Sequence, residues 1–133
     1  MTDKLDTHAP KALAALRIMA GLLFLAHGTQ KILGFPAAQF DAPLLSIFGA
    51  AGIIEIVTGT LIVLGLFTRP AAFLASGTMA AAYFMAHAPQ TFFPANNGGD
   101  AAILFCFVFL MLVFTGPGAF ALDNRTRSAA AYA

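Results

Sequence analysis

The hydrophobic positions of the chain form four long segments, each bounded by proline or glycine. They cover residues 11–33, 44–67, 71–87 and 100–115, between short polar termini at 1–10 and 119–133. At 1.5 Å per residue, a helix needs about 20 residues to cross a bilayer core of about 30 Å. The first two segments meet this length, the third barely does, and the fourth is short. The pattern predicts a single all-α membrane domain built as a four-helix transmembrane bundle.

These segments lack the polar stripe that a soluble helical bundle turns towards water. In the second segment, Glu55 is almost the only break in a run that is apolar on all sides. The whole chain of 133 residues is 59% hydrophobic and 10% charged, against about 25% charged residues in soluble domains. The apolar part of the first segment is also longer than the 7–15 apolar residues of a signal peptide. An integral membrane protein is therefore favoured over a soluble bundle.

The basic residues predict the orientation of the four helices. With four spans, both termini and the loop between spans two and three lie on the same side. Only Lys31 lies on the other side, and the shared side carries six basic residues: Lys4, Lys11, Arg17, Arg69, Arg125 and Arg127. The positive-inside rule then places both termini in the cytoplasm. On this interpretation the arginines are topology anchors rather than ligands, and with a net charge of +1 and no basic run, nucleic-acid binding is excluded.

Glu55 is the polar residue that the pattern places deepest, roughly 16 Å into the second helix. An isolated carboxylate at the bilayer centre costs about 2.5–3.5 kcal/mol, so we expect it to face a polar partner on the first helix or a ligand. His27, Gln30 and Lys31 share one face near the outer end of the first helix. A catalytic role for Glu55 and His27 and a structural hydrogen bond both remain open, while Lys31 is expected to extend outward to the membrane surface.

More polar residues lie at the outer ends of the third and fourth segments. Asp100 sits where a helix dipole favours a negative charge, although a helix cap and turn would explain it and its neighbouring asparagines equally well. Polar groups in a bilayer must meet one another, water or a ligand, so we expect one outward-facing pocket. The candidate ligand-binding residues are Lys31, Gln30, His87, Asp100 and Asn97.

The chain offers no familiar redox or metal motif. Its single cysteine, Cys106, stands in an apolar run, which within one chain excludes a disulfide, a CxxC pair and a thiolate metal cluster. No haem, flavin or metal constellation is recognisable either. Electrons for any redox reaction would have to come from a partner protein or a soluble donor.

The order and spacing of several short motifs resemble the DoxX family of small four-helix membrane proteins. The motifs are Arg17-Ile-Met-Ala-Gly21, His27-Gly28 with Lys31, Glu55 with Gly59, Gly65-Leu-Phe-Thr-Arg-Pro70, Asn97-Gly-Gly-Asp100, Gly116-Pro-Gly118 and Leu122-Asp123. The resemblance implies a multi-pass protein of the bacterial plasma (inner) membrane. It also implies a link to quinones, since some relatives are subunits of a thiosulfate:quinone oxidoreductase and others are linked to quinone or thiol stress. Relatives usually carry Glu where this chain has Asp100, so this carboxylate reaches about one methylene less far.

Three function classes remain open. The first is a subunit of a quinone-linked oxidoreductase system that binds a quinone or a similar small molecule in the polar pocket. The second is a non-catalytic accessory or assembly subunit, and the third is a small-solute carrier, which ranks last because four short helices leave little room for alternating access. Besides the lipid bilayer, a redox partner, a larger membrane complex and a second copy of the chain are all open as partners. Whether the chain is itself an enzyme stays open as well.

Overall fold

The computed structural model describes residues 2–38 and 43–131, and all regular structure within them is helical. In chain order the elements are α1 (Thr2–Asp6), α2 (Ala9–Leu33), α3 (Ile47–Leu64), α4 (Thr68–Ala82), a π-helical turn (Tyr83–His87), α5 (Pro94–Asn97), α6 (Asp100–Thr115) and α7 (Leu122–Ala131). The outermost residues of the two predicted polar termini, 1, 132 and 133, lie outside the described residues.

Two helices, α2 and α3, are long and apolar enough to cross a membrane. They contain 25 and 18 residues respectively. The apolar helix α6 is shorter, with 16 residues, and α4 continues directly into the π-helical turn. The four apolar segments of the sequence thus correspond to α2, α3, α4 with its π-helical turn, and α6.

The ends of α2 and α3 follow from local sequence signals. Pro10 occupies the first turn of α2, where its missing N–H costs no helical hydrogen bond. Ser46 caps α3, with its Oγ accepting a hydrogen bond from the Gly49 N–H at 3.2 Å. Both helices end at a glycine in the left-handed conformation, Gly34 and Gly65, each with φ of 66°.

The helices pack as α2 against α3 and α4 against α6, with α3 also packed against α4. Small alanines of α4, among them Ala72 and Ala75, are buried beside large apolar side chains of the other helices. Phe24 of α2 and Phe109 of α6 are both buried, and their ring centroids lie 4.9 Å apart in an edge-on arrangement. These two rings join α2 to α6 and close the middle of the bundle.

Arg17 ties together the end of the bundle at which α2 begins. Its side chain is fully buried, with 0% exposed. Nε donates to the carbonyl of Pro117 at 2.8 Å, and Nη1 donates to those of Ile62 and Val63 at the C-terminal end of α3, also at 2.8 Å. Nη2 donates to two further carbonyls after α6, at 3.1 and 3.2 Å. Arg17 therefore does more than mark topology, because it joins α2 to α3 and to the segment after α6.

Two other charged residues cap helix ends nearby. Asp123 accepts hydrogen bonds from the backbone N–H groups of Phe67 and Thr68, at 2.8 and 2.9 Å, and so caps the start of α4. Burial raises the pKa of Asp123, but the hydrogen bonds from Thr68 and Phe67 and the charge of Arg127 outweigh this and hold the pKa below its usual value. Arg69 donates to two carbonyls at the end of α6, at 2.6 and 2.8 Å. The charged side chains of Asp123 and Arg69 thus bind backbone groups at helix ends that have no partner within the helix.

Candidate functional site

An ion pair between α2 and α3 forms the centre of the candidate site. Nζ of Lys31 lies 2.5 Å from Oε1 of Glu55, and the two side chains are 23% and 1% exposed. The prediction that Glu55 faces a polar partner on the first helix is confirmed. The prediction that Lys31 extends outward is wrong, because α2 and α3 approach closely enough for its ammonium group to reach the carboxylate. We call this contact the Lys31–Glu55 pair.

Glycines on both helices make this close approach possible. A Cβ added at Gly28 would lie 2.9 Å from Cβ of Glu55 and 2.8 Å from the backbone nitrogen of Ile56. A Cβ at Gly52 would lie 3.0 Å from Cβ of Lys31. Real Cβ atoms hardly ever come so close to other atoms, so a larger residue at either position would separate the helices. Because neither position carries a side chain, α2 and α3 lie close enough for Lys31 and Glu55 to form their ion pair.

The carboxylate of Glu55 is satisfied on one side only. Its Oε1 accepts from the Lys31 ammonium, while Oε2 is buried and has no hydrogen-bond partner within the described part of the chain. A buried polar atom without a partner costs about 1–3 kcal/mol, and such atoms are rare in folded proteins. The site therefore calls for one further hydrogen-bonding group from beyond the described residues, such as water or a ligand.

Three other predicted site residues lie near the same end of the bundle without direct contact to the pair. His27 is exposed, and its ring meets the ring of Phe105 edge-on with centroids 6.0 Å apart. Nε2 of Gln30 donates to the backbone carbonyl of Ala37 at 3.2 Å, beyond the end of α2. Asp100 begins α6 with an exposed side chain. Among residues 2–38 and 43–131, no hydrogen bond links any of the three to the ion pair.

His87 and Asn97 form a separate polar group around the loop that precedes α6. Nδ1 of His87 lies 3.0 Å from the backbone oxygen of Asn97. The Asn97 side chain, 4% exposed, donates to the carbonyl of Thr91 at 2.9 Å and to the hydroxyl of Tyr83 at 3.3 Å, and it accepts from the N–H of Gly99 at 2.8 Å. These hydrogen bonds occupy both polar atoms of the Asn97 amide and fix the shape of the loop.

Histidine, cysteine and carboxylate side chains do not gather into a metal site in the part of the chain that the structure describes. No group of three or more of them is placed to hold an ion there. The positive charge beside the Glu55 carboxylate is the ammonium group of Lys31.

Comparison with known proteins gives relatives that extend over most of the chain. A model of the DoxX family matches residues 12–88, a range that contains Lys31 and Glu55 and ends before Asn97. A Haemophilus influenzae protein described as uncharacterized is 45% identical, over 92% of this chain and 96% of its own length. An uncharacterized membrane protein of Mycobacterium tuberculosis is 31% identical, over 91% and 85%.

A third relative is an inner membrane protein of Escherichia coli, 32% identical over 87% of this chain and 91% of its own length. No solved structure matches the chain significantly.

Proposed function

We propose that this chain, which belongs to the DoxX family of membrane proteins, is a membrane subunit of a quinone-linked oxidoreductase system. In this proposal it binds a quinone or a similar small molecule at the Lys31–Glu55 pair. The observation that supports it is the buried Oε2 of Glu55, a hydrogen-bonding atom that lacks a partner among the described residues.

The residues present suit the head group of a quinone. Its polar atoms are the two oxygens attached to the ring. They are carbonyl oxygens that accept hydrogen bonds in the oxidised form, and hydroxyl groups that can donate them in the reduced form. A quinone, when bound, supplies two-electron chemistry in which two protons are also taken up. Glu55 would hold a ring hydroxyl at Oε2 and accept or return a proton there, while Lys31 would hold the carboxylate in place through Oε1.

The electrons would come from a partner protein or a soluble donor. A larger membrane complex and a second copy of the chain are further partners compatible with this role. His27 is well placed for an auxiliary part in proton transfer, since it lies one helical turn from Lys31 on α2 with an exposed ring.

The proposed setting is the bacterial inner membrane, crossed four times, with both termini in the cytoplasm. Two features support this setting: the six-to-one distribution of basic residues and the inner-membrane description of the Escherichia coli relative. The Lys31–Glu55 pair would then open to the outer side of the membrane, since Lys31 lies in the last turn of α2.

One observation favours a second candidate, a non-catalytic accessory subunit. Arg17 and Asn97 are also buried and polar, and the side chains of both form hydrogen bonds mainly with backbone groups. If the Lys31–Glu55 pair had the same purpose, with water at Oε2, it would only hold α2 against α3.

Bound quinone separates the two candidates. The protein should be extracted without oxygen in a mild detergent, and its total quinone and quinol measured by mass spectrometry. The double variant Lys31→Met/Glu55→Leu replaces the pair with apolar side chains of similar size and leaves no uncompensated charge. We expect quinone to accompany the wild-type protein and the control Arg125→Ala, but not the double variant. Equal amounts in all three proteins would contradict the proposed function.

A further inference from the structure

The unpartnered oxygen of Glu55 has a definite hydrogen-bonding character. An ionised carboxylate carries only lone pairs, so it accepts hydrogen bonds and donates none. Nζ of Lys31 lies 2.5 Å from Oε1, so the contact is an ion pair in which the carboxylate is the anion. Oε2 therefore offers an acceptor alone, and the group that completes the site must bring a hydrogen atom.

The ammonium of Lys31 does not reverse this preference. Lysine has three N–H donors, and only one of them is needed for Oε1 of Glu55. Since the Lys31 side chain is 23% exposed, its other donors can be satisfied by water. Oε2 lies on a side chain that is 1% exposed and has no such alternative. The demand for a partner is therefore greater at the acceptor than at the remaining donors.

We infer that the site selects the hydroxyl-bearing, reduced form of its ligand over the carbonyl-bearing, oxidised form. This inference rests on the proposed function, and it specifies which redox form of the ligand Glu55 recognises. A ring hydroxyl donates to Oε2. A ring carbonyl would place its lone pairs against those of Oε2 and leave the carboxylate oxygen unsatisfied. Sites built around a ligand hydroxyl discriminate strongly against analogues that lack the hydrogen-bonding group.

A matched pair of small ligands tests the selection. Tetramethyl-1,4-benzoquinol and tetramethyl-1,4-benzoquinone have the same ring and the same methyl groups, and they differ in the hydrogens on the two oxygens. Their dissociation constants should be measured by equilibrium dialysis against the purified, detergent-solubilised protein without oxygen. We expect the quinol to bind at least about tenfold more tightly to the wild-type protein.

Two variants change the hydrogen-bonding character of the site in known directions. In Glu55→Gln, the Lys31 ammonium can bond to the amide oxygen, which leaves the NH₂ group as a donor in place of Oε2. The preference should then shift to the quinone. In Lys31→Met, the carboxyl group can take up a proton and both donate and accept, so the preference should disappear. Thr60→Val is the matched control, because the Thr60 hydroxyl is exposed and bonds within α3 to the carbonyl of Ile56 at 2.7 Å.

The outcomes distinguish this inference from the proposed function. Wild-type binding of the quinone equal to or tighter than that of the quinol would overturn the selection and leave a quinone-binding protein. No binding of either form would overturn the proposed function, and the inference with it. If gel filtration shows that Glu55→Gln does not fold, the loss of preference in Lys31→Met carries the test, and an unchanged preference in that variant would contradict the inference.

Discussion

Replacing Arg17 with methionine should destabilise the whole bundle. All five N–H donors of the guanidinium are engaged by backbone carbonyl groups, which come from α3 and from the segment after α6. Methionine has nearly the same length and fits an apolar environment, but it donates no hydrogen bond. The variant thus removes the donors while the apolar part of the side chain is largely kept.

The size of the effect follows from which carbonyl groups keep another donor. The oxygen of Ile62 also accepts from the backbone N–H of Gly65 at 3.1 Å and remains satisfied. The other four acceptors lose the Arg17 donors. A fully buried acceptor without a partner costs about 1–3 kcal/mol, and these four cost less than that each because they are only partly buried. The variant also avoids the cost of burying a guanidinium ion, which offsets part of the loss. We expect a net loss of about 3 kcal/mol in the free energy of unfolding.

Titration of detergent-solubilised protein with sodium dodecyl sulfate, followed by circular dichroism, measures this loss. Arg17→Lys should give an intermediate value, because lysine has three donors instead of five. Arg125→Met is the matched control, since Arg125 is exposed on α7 and its replacement should change the free energy by less than about 0.5 kcal/mol. If Arg17→Met unfolded like the wild-type protein, the carbonyl groups would not depend on Arg17, and the reasoning would be wrong.

Three further predictions concern helix packing, pH and topology. Gly28→Ala should cost about 1–3 kcal/mol because its Cβ meets the α3 backbone at 2.8 Å. Gly77→Ala should be neutral or stabilising by up to about 1 kcal/mol because its Cβ meets nothing within 4 Å; equal effects in the same titration would contradict the packing argument. The lowered pKa of Asp123 stabilises the fold above its usual value of 3.8, and this contribution is lost as the pH falls through the lower folded-state pKa. The stability difference between wild type and Asp123→Asn should therefore shrink below about pH 4, and a constant difference from pH 7 to pH 2 would refute this. Reporter fusions near Ala95 should read external and those at Ala133 cytoplasmic, whereas an external C-terminus would rule out four spans.

The burial of Glu55 could be predicted from the sequence because it depends on a single large energy. A carboxylate in the middle of an apolar segment must find a partner, and the nearest polar residues in depth were on the first helix. The identity of the Glu55 partner, which is Lys31 and not His27, could not be predicted in the same way. Helix rise gives the depth of each residue, but the distance between two helices depends on which faces can approach. Gly28 and Gly52 decide that distance.

The role of Arg17 was hidden for a different reason. Counting basic residues places Arg17 on one side of the membrane, and that count treats every arginine alike. Its partner at Pro117 lies 100 residues further along the chain, so no local pattern connects the two. One signal was present: Arg17 stands eight residues inside α2, which begins at Ala9, deeper than an arginine that only meets the membrane surface.

The contrast between Arg17 and Glu55 bears on where a ligand binds. Both side chains are buried and charged. Every donor of Arg17 has an acceptor, whereas one oxygen of Glu55 has no partner among residues 2–38 and 43–131. Thr58, three residues after Glu55 on α3, is also buried, and its hydroxyl does not bond to this oxygen. It donates instead to the carbonyl of Ile54 at 2.7 Å. A carboxylate with a purely structural role would gain stability from any such donor. The unsatisfied oxygen therefore calls for a hydrogen-bond donor from beyond the described residues, and the Lys31–Glu55 pair is where a search for that donor should begin.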